Sequence, residues 1–277
     1  MAGLRFGADG PPDLVFLHAT GFNALTYREL LAPLGARWRV VALDQRGHGR
    51  STLTADPRRI HGWDFHADDL AGILPSLVER APVLAGHSMG GAVAAMAVAR
   101  DRRVADRLVL LDPVLPGPEW NRIARTLDQA ARIAHLPIAR GAARRRSRFA
   151  SRDEAFTSYV GRGAFATWTG SALADYVADG FDDATDGGVA LTCAPAWEAA
   201  TFAGSFHDGD ALAAKLDVPT LILRAETGSA TRATAAVQPS TIVETLPGTT
   251  HFLPMERPDV VRERLAAALE ARDAALT

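Results

Sequence analysis

The clearest indication of the fold is the segment Pro82-Val-Leu-Ala-Gly-His-Ser-Met-Gly-Gly91. It begins as a short apolar run typical of a buried strand, and the run of small residues that follows it predicts a helix. Between the two, Gly-His-Ser-Met-Gly fits the pattern Gly-x-Ser-x-Gly. This pattern is short, but a strand before it and a helix after it make it typical of a nucleophile on a sharp turn. We therefore expect Ser88 to be exposed at the top of a sheet, beside the N-terminus of a helix.

Strand-like and helix-like runs alternate along most of the chain. Strands are predicted over 13–18, 38–44, 82–86, 107–112, 219–224 and 241–246, and helices over 27–34, 64–80, 90–100 and 257–277. Strands that are apolar on both faces and separated by helices predict an α/β fold with a mostly parallel sheet flanked by helices.

The alternation breaks after the strand that ends near Asp112. Between residues 113 and 206 the sequence shows helical patterns and no convincing core strand. We expect a helical cap over the carboxyl ends of the strands, where open α/β sheets place their sites. The predicted division is a core of residues 1–112 and 207–277 and a cap of residues 113–206.

Composition excludes several classes of protein. The chain has 277 residues, of which 48% are hydrophobic and 22% charged, so it is globular. Its formal net charge is -2, so it has no excess of basic residues of the kind that binds nucleic-acid phosphates. A basic cluster, Arg144, Arg145, Arg146 and Arg148, has acidic residues nearby, and internal charge compensation is the favoured interpretation.

Cofactors, membrane segments and export signals are not expected. The single cysteine, Cys193, excludes an intrachain disulfide and a cysteine-built zinc site, and the histidines lack metal-ligand spacing. Neither a signal-peptide pattern nor an apolar stretch of membrane-spanning length is apparent. We therefore predict a cytoplasmic protein with a small-molecule partner, no membrane and no nucleic-acid partner, and no cofactor or metal. The sequence does not predict the oligomeric state.

Four motifs together resemble the α/β-hydrolase superfamily. They are Leu17-His-Ala-Thr-Gly-Phe22, Asp44-Gln-Arg-Gly-His-Gly-Arg-Ser51, Gly86-His-Ser-Met-Gly-Gly91 and Pro247-Gly-Thr-Thr-His-Phe-Leu-Pro-Met-Glu256. The resemblance covers nearly the whole chain and is weakest in residues 113–206. It implies the α/β-hydrolase fold and an enzyme similar to serine esterases and lactonases with a helical cap, but it says little about the substrate.

The resemblance also assigns a base and an oxyanion hole. His251 lies in the loop after the last predicted strand, where the family has its base, and it follows Ser88 in the family's order. The backbone N–H groups of Met89 and Thr20 are the implied oxyanion donors. Ala19 departs from the family's His-Gly-x sequence, so Phe22 is an alternative donor that more simply lines the pocket.

The acid of the triad is missing from its usual place. In the family an aspartate follows the strand that here ends at Arg224, but this chain continues Ala225-Glu-Thr-Gly-Ser-Ala230. Some haloalkane dehalogenases and lipases of the superfamily carry the acid after the preceding strand, which here ends at Asp112. We predict Asp112 as the acid that holds the His251 tautomer, with Glu226 as the alternative.

The predicted chemistry is hydrolysis of an ester or lactone through an acyl-enzyme on Ser88. A serine at this turn argues against dehalogenases and epoxide hydrolases of the fold, which use an aspartate there. Alternatives are a carbon–carbon bond hydrolase and a degenerate hydrolase-fold binding protein. An apolar substrate group is expected, and the pocket-lining candidates are Phe22, Trp120, Trp168, Trp197 and Phe252.

Overall fold

A computed structural model describes residues 1–185, 187–232 and 237–275. Its strands are β1 (Ala2–Phe6), β2 (Leu14–Leu17), β3 (Val40–Asp44), β4 (Val83–His87), β5 (Arg107–Leu111), β6 (Arg148–Phe149), β7 (Phe181–Asp183), β8 (Val189–Leu191), β9 (Thr220–Ala225) and β10 (Thr241–Leu246). Among the described residues, seven of them form a central sheet in the order β1-β3-β2-β4-β5-β9-β10. Strand pairing is parallel except at β1, which is antiparallel to β3.

Helices cover both faces of this sheet. They are α1 (Arg28–Leu31), α2 (Asp64–Leu77), α3 (Met89–Arg100), α4 (Pro118–Ala124), α5 (Gln129–His135), α6 (Pro137–Ala143), α7 (Arg152–Tyr159), α8 (Gly170–Asp179), α9 (Pro195–Ala203), α10 (Gly209–Ala213), α11 (Leu253–Glu256) and α12 (Pro258–Ala274). Successive residues of a strand point to opposite faces. Phe16 accordingly packs into one apolar cluster, while Val15 and Leu17 pack into another on the opposite face. The predicted α/β fold with a mostly parallel sheet is confirmed.

The edge strand β1 is absent from the sequence prediction. Its residues alternate between half-buried and exposed, as expected at a sheet edge, and they lack the continuous apolar run that marks the central strands. The predicted C-terminal helix appears as α12, and its last two predicted residues, 276 and 277, lie outside the described residues.

The inserted segment, residues 113–206, lies between β5 and the strand β9. It carries α4 to α9 and, in addition, a small antiparallel sheet in the order β6-β8-β7. Strands of two or three residues give no readable alternation, so the sequence did not predict this sheet. Over the described residues, no helix is long and apolar enough to cross a membrane; the cytoplasmic location stays a prediction.

Candidate active site

Ser88 occupies a strained turn between β4 and α3. Its φ of 56° and ψ of -116° lie in a region that L-residues rarely adopt. The turn is possible because its flanking residues are glycines. A β-carbon at Gly86 would lie 2.4 Å from the carbonyl carbon of Gly90, and one at Gly90 would lie 2.2 Å from the Leu17 carbonyl oxygen. Backbone crowding therefore requires glycine on both sides of the serine.

A chain of hydrogen bonds runs from Ser88 through His251 to Asp112. His251 Nδ1 lies 2.6 Å from Asp112 Oδ2, and its Nε2 lies 3.0 Å from Ser88 Oγ. A carboxylate only accepts, so the proton is on Nδ1, and Nε2 of the neutral ring accepts from the serine hydroxyl. Among the described residues, Ser88 and Asp112 are also the non-glycine residues with positive φ. The three predicted triad residues are thus brought together.

The loop that normally carries the acid instead donates hydrogen bonds to Asp112. The amides of Ala225 and Ala230 donate to its carboxylate at 3.0 and 2.8 Å, and Ser229 Oγ donates at 2.5 Å. Burial alone would raise the pKa of Asp112, but the hydrogen bonds from His251 and Ser229 outweigh it, so the pKa lies below its ordinary value. Glu226 points elsewhere, accepting from the Gly248 amide at 3.0 Å in an exposed position.

Most amides of the loop after β2 already have hydrogen-bond acceptors. The Ala19 carbonyl accepts from the Phe22 amide at 3.2 Å, which engages the alternative oxyanion donor within the loop. The Gly21 amide donates to His48 Nε2 at 3.0 Å. The amide of Thr20 lies between these engaged groups, and Thr20 itself lines the cavity that contains Ser88.

The two predicted oxyanion donors are neighbours in the structure. Met89 is the first residue of α3, where a helix amide has no intrahelical acceptor. The hydroxyl of Thr20 lies 3.3 Å from the Met89 sulfur. Their role as oxyanion donors stays a prediction.

A buried histidine ties the loop after β2 to the loop of His251. His87 Nε2 donates to the His251 carbonyl at 2.8 Å, because a carbonyl oxygen only accepts. Nδ1 of the neutral ring then accepts from the Tyr27 hydroxyl at 2.8 Å, and the Tyr27 oxygen accepts from the Ala19 amide at 3.0 Å. Burial and the neighbouring His251 lower the pKa of His87 to about 3, which keeps this ring neutral. Sequence reasoning missed this connection, which joins residues distant in the chain.

Ser88 and His251 lie in the wall of a cavity of about 480 Å³. The predicted residues Phe22 and Phe252 line it. The inserted segment contributes Ile138, Phe165, Phe202 and the small residues Gly141, Ala142, Gly163 and Ala164. It also contributes Arg145 and Glu198, neither of which is among the predicted pocket residues. The glycine and alanine residues in α6 and in the segment after α7 were the available signal, since small side chains leave space for a ligand.

Three predicted pocket tryptophans lie elsewhere, which corrects the sequence prediction. Trp120 donates from its indole N–H to the Ser205 carbonyl at 2.8 Å and stacks on His135. Trp197 packs against the turn at Gly47, in the wall of a second cavity of about 270 Å³. An aromatic residue in a helical pattern can face either side, and α4 and α9 turn these two away from Ser88.

Trp168 lies behind the cavity wall. Its ring meets that of Phe22 edge-on at 5.0 Å and lies 5.8 Å from that of Phe252, both between ring centroids. Trp168 therefore supports two lining residues and is not itself one of them. Among the described residues, no group of three or more His, Cys, Asp or Glu side chains could hold a metal ion.

Parts of the chain are similar in sequence to known hydrolases. The chain is 31% identical over 101 residues to the 2-(acetamidomethylene)succinate hydrolase of Mesorhizobium japonicum, covering 36% of this chain and 35% of that protein. It is 44% identical over 96 residues to a bifunctional esterase/perhydrolase of Acinetobacter calcoaceticus, covering 34% of each. These matches span about a third of the length of the curated relatives.

Structural similarity extends over nearly the whole chain. The crystal structure of an E-2-(acetamidomethylene)succinate hydrolase superposes with a TM-score of 0.75 at 21% identity, covering 96% of this chain and 93% of that one. The enol-lactonase from Burkholderia xenovorans gives 0.65 at 18% identity, covering 97% and 96%. At these identities the likeness concerns the fold. The sequence model of the alpha/beta hydrolase family matches residues 14–264, and the chain belongs to that family.

Proposed function

We propose that this protein is a serine hydrolase that cleaves a carboxylic ester or lactone through an acyl-enzyme on Ser88. The observation that carries the proposal is the unbroken hydrogen-bond chain from Ser88 Oγ through His251 to the Asp112 carboxylate, in the wall of a cavity. A base aligned on the serine hydroxyl, and itself held by a carboxylate, is the arrangement that activates a serine nucleophile.

The proposed reaction has two steps. His251 Nε2 takes the hydroxyl proton as Ser88 Oγ bonds to the carbonyl carbon, and the same proton passes to the departing alcohol oxygen when the ester C–O bond breaks. Water then attacks the acyl-enzyme, giving one proton to His251, which returns it to Ser88 as the acid leaves. The amides of Met89 and Thr20 would donate to the carbonyl oxygen while it carries negative charge. Asp112 stays ionised and holds the histidine ring in place.

The inserted segment acts as the cap in this proposal. It supplies one side of the cavity, while the turn at Ser88, the loop after β2 and the loop of His251 supply the other. The lining is predominantly apolar, which supports an uncharged organic substrate of small size. The intact Ser88–His251–Asp112 chain is the argument against a degenerate binding protein.

The test combines turnover with active-site labelling. Purified protein should hydrolyse short p-nitrophenyl esters and be labelled by a fluorophosphonate at Ser88, whereas Ser88→Ala should lose both. Ser76→Ala is the matched control, because the Ser76 hydroxyl bonds within α2 on the exposed surface. Absence of turnover on any short ester together with absence of labelling would contradict the proposal. Turnover of a β-diketone but of no ester would favour the carbon–carbon bond hydrolase.

A further inference from the structure

The inserted segment places an ion pair in the wall of the Ser88 cavity. Arg145, just after α6, donates from Nη1 to Glu198 on α9, at 3.1 Å from Oε2 and 3.3 Å from Oε1. Their side chains are only 17% and 9% exposed, yet both residues line the cavity. Two charges withdrawn from water are tolerated when each meets the other, and removing one leaves the second uncompensated.

The surroundings of this pair add no net charge. Nη2 of Arg145 donates to the hydroxyl of Tyr159 at 3.3 Å and to that of Tyr176. Burial raises the pKa of Tyr176, so its hydroxyl stays neutral. The guanidinium therefore meets one carboxylate and two hydroxyls, and among these described partners the charge of Glu198 balances that of Arg145.

The anion of the pair lies against the loop that holds Thr20. A β-carbon at Gly21, whose φ is +79°, would lie 2.3 Å from Glu198 Oε1. An isolated carboxylate in this position would oppose negative charge on a reacting carbonyl oxygen. Arg145 cancels that field, so both charges are needed for a neutral cavity.

We propose that Arg145 and Glu198 form a charge-compensated wall that selects an uncharged acyl group and rejects acyl chains that end in a carboxylate or an ammonium group. The inference rests on the proposed serine hydrolase function. An ion that entered the cavity would lose its hydration, and the wall would offer it no uncompensated partner. Removing one member of the pair should therefore create a site for an ion of the lost charge.

The test compares two esters that differ at the end of the acyl chain, p-nitrophenyl heptanoate and p-nitrophenyl hemiadipate. Glu198→Gln leaves Arg145 uncompensated, and the hemiadipate-to-heptanoate ratio of kcat/KM should rise at least about 10-fold. Arg145→Gln should lower that ratio. The double variant Arg145→Gln with Glu198→Gln, which removes both charges, should return close to the wild-type ratio. A Glu198→Gln ratio unchanged from wild type, or an equal rise in the double variant, overturns the proposal.

A binding measurement on the unaltered protein covers the case in which the variants do not fold. Calorimetry with 4-phenylbutyramide, 4-phenylbutyrate and 4-phenylbutylammonium should find the amide bound at least about 10-fold more tightly than either ion. If 4-phenylbutyrate binds as tightly as 4-phenylbutyramide, or if the amide does not bind, the proposal of a charge-compensated wall is wrong. This readout needs no turnover, so it separates failure of the wall from failure of Ser88 chemistry.

Discussion

The two sides of the cavity are built in different ways. On the core side, Ser88 and His251 line the cavity from loops that short motifs mark, and Asp112 follows β5 and holds His251 from behind. On the side of the inserted segment, Arg145 and Glu198 are 53 residues apart in a stretch of helices and short strands that no motif marks. The carboxyl ends of parallel strands meet at one edge of the sheet, so a site there can be predicted from the sequence. A site between packed helices depends on the rotation and register of each helix, which no local sequence pattern gives.

Replacing His251 should have the largest effect and tests the core side. His251→Ala removes the base, so kcat for p-nitrophenyl butyrate should fall about 10⁵-fold while the protein stays folded. His135→Ala is the matched control, since His135 stacks on Trp120 outside the cavity lining. A loss of kcat in His135→Ala as large as that in His251→Ala would contradict a specific role of His251 as the base.

Acid should destabilise the core side through its buried neutral histidines. Burial lowers the pKa of His18 to about 4 and, with neighbouring histidines, those of His48 and His87 to about 3, against 6.5 unperturbed. Above pH 6.5 both the folded and unfolded states hold these rings neutral, and stability is complete. As pH falls below 6.5 the unfolded chain takes up protons first, so each ring costs up to about 1.4 kcal/mol per pH unit.

Urea unfolding at several pH values measures this loss. The free energy of unfolding should be level from pH 8 to 7 and should decline between pH 6.5 and 4. A free energy that stays constant down to pH 5 would contradict the account of the buried rings.

Ser229→Ala should have a moderate effect. The variant removes the hydroxyl donor to Asp112 Oδ1, and kcat should fall about 10-fold with little change in KM. Loss of a donor to the carboxylate also raises the pKa of Asp112 toward its ordinary value. Ser229→Thr keeps the hydroxyl and should recover most of the activity. Wild-type kcat in Ser229→Ala would contradict a role for the Ser229 hydroxyl in supporting Asp112.

Trp120→Phe should have the smallest effect. The variant loses a hydrogen bond to Ser205 but touches neither the cavity lining nor the triad, so kcat/KM should change by less than about 3-fold. A substantial shift in substrate preference would instead indicate that Trp120 contacts the substrate, as the sequence predicts.

Sequence reasoning was strongest where the chain carries a local physical constraint. The strained turn needs Gly86 and Gly90, and that requirement is visible as a pattern around Ser88. The predictions of His251 and Asp112 rest on the resemblance to the family, because these residues are 139 positions apart and no local pattern links them. Asp112 is predicted because no aspartate follows the strand that ends at Arg224, and because some dehalogenases and lipases of the superfamily carry the acid after the preceding strand.

The side of the inserted segment was predicted only in outline. The aromatic residues of this segment are predicted to line the pocket because they are large and apolar, but Trp120 and Trp197 face away from Ser88. Helix orientation is set by contacts such as α6 against α9, which depend on the whole segment and leave no fixed spacing. Arg145 was visible only as one member of a basic cluster, and its partner Glu198 could not be identified before the helices were placed.

We propose Asp112, directly after β5, as the acid that holds the His251 ring. The most direct measurement compares kcat of Asp112→Asn and Glu226→Gln on one ester, with circular dichroism to verify folding. The account predicts about a 10⁴-fold loss for Asp112→Asn and near-wild-type turnover for Glu226→Gln. Near-wild-type turnover of Asp112→Asn, with a loss of orders of magnitude for Glu226→Gln, would contradict it.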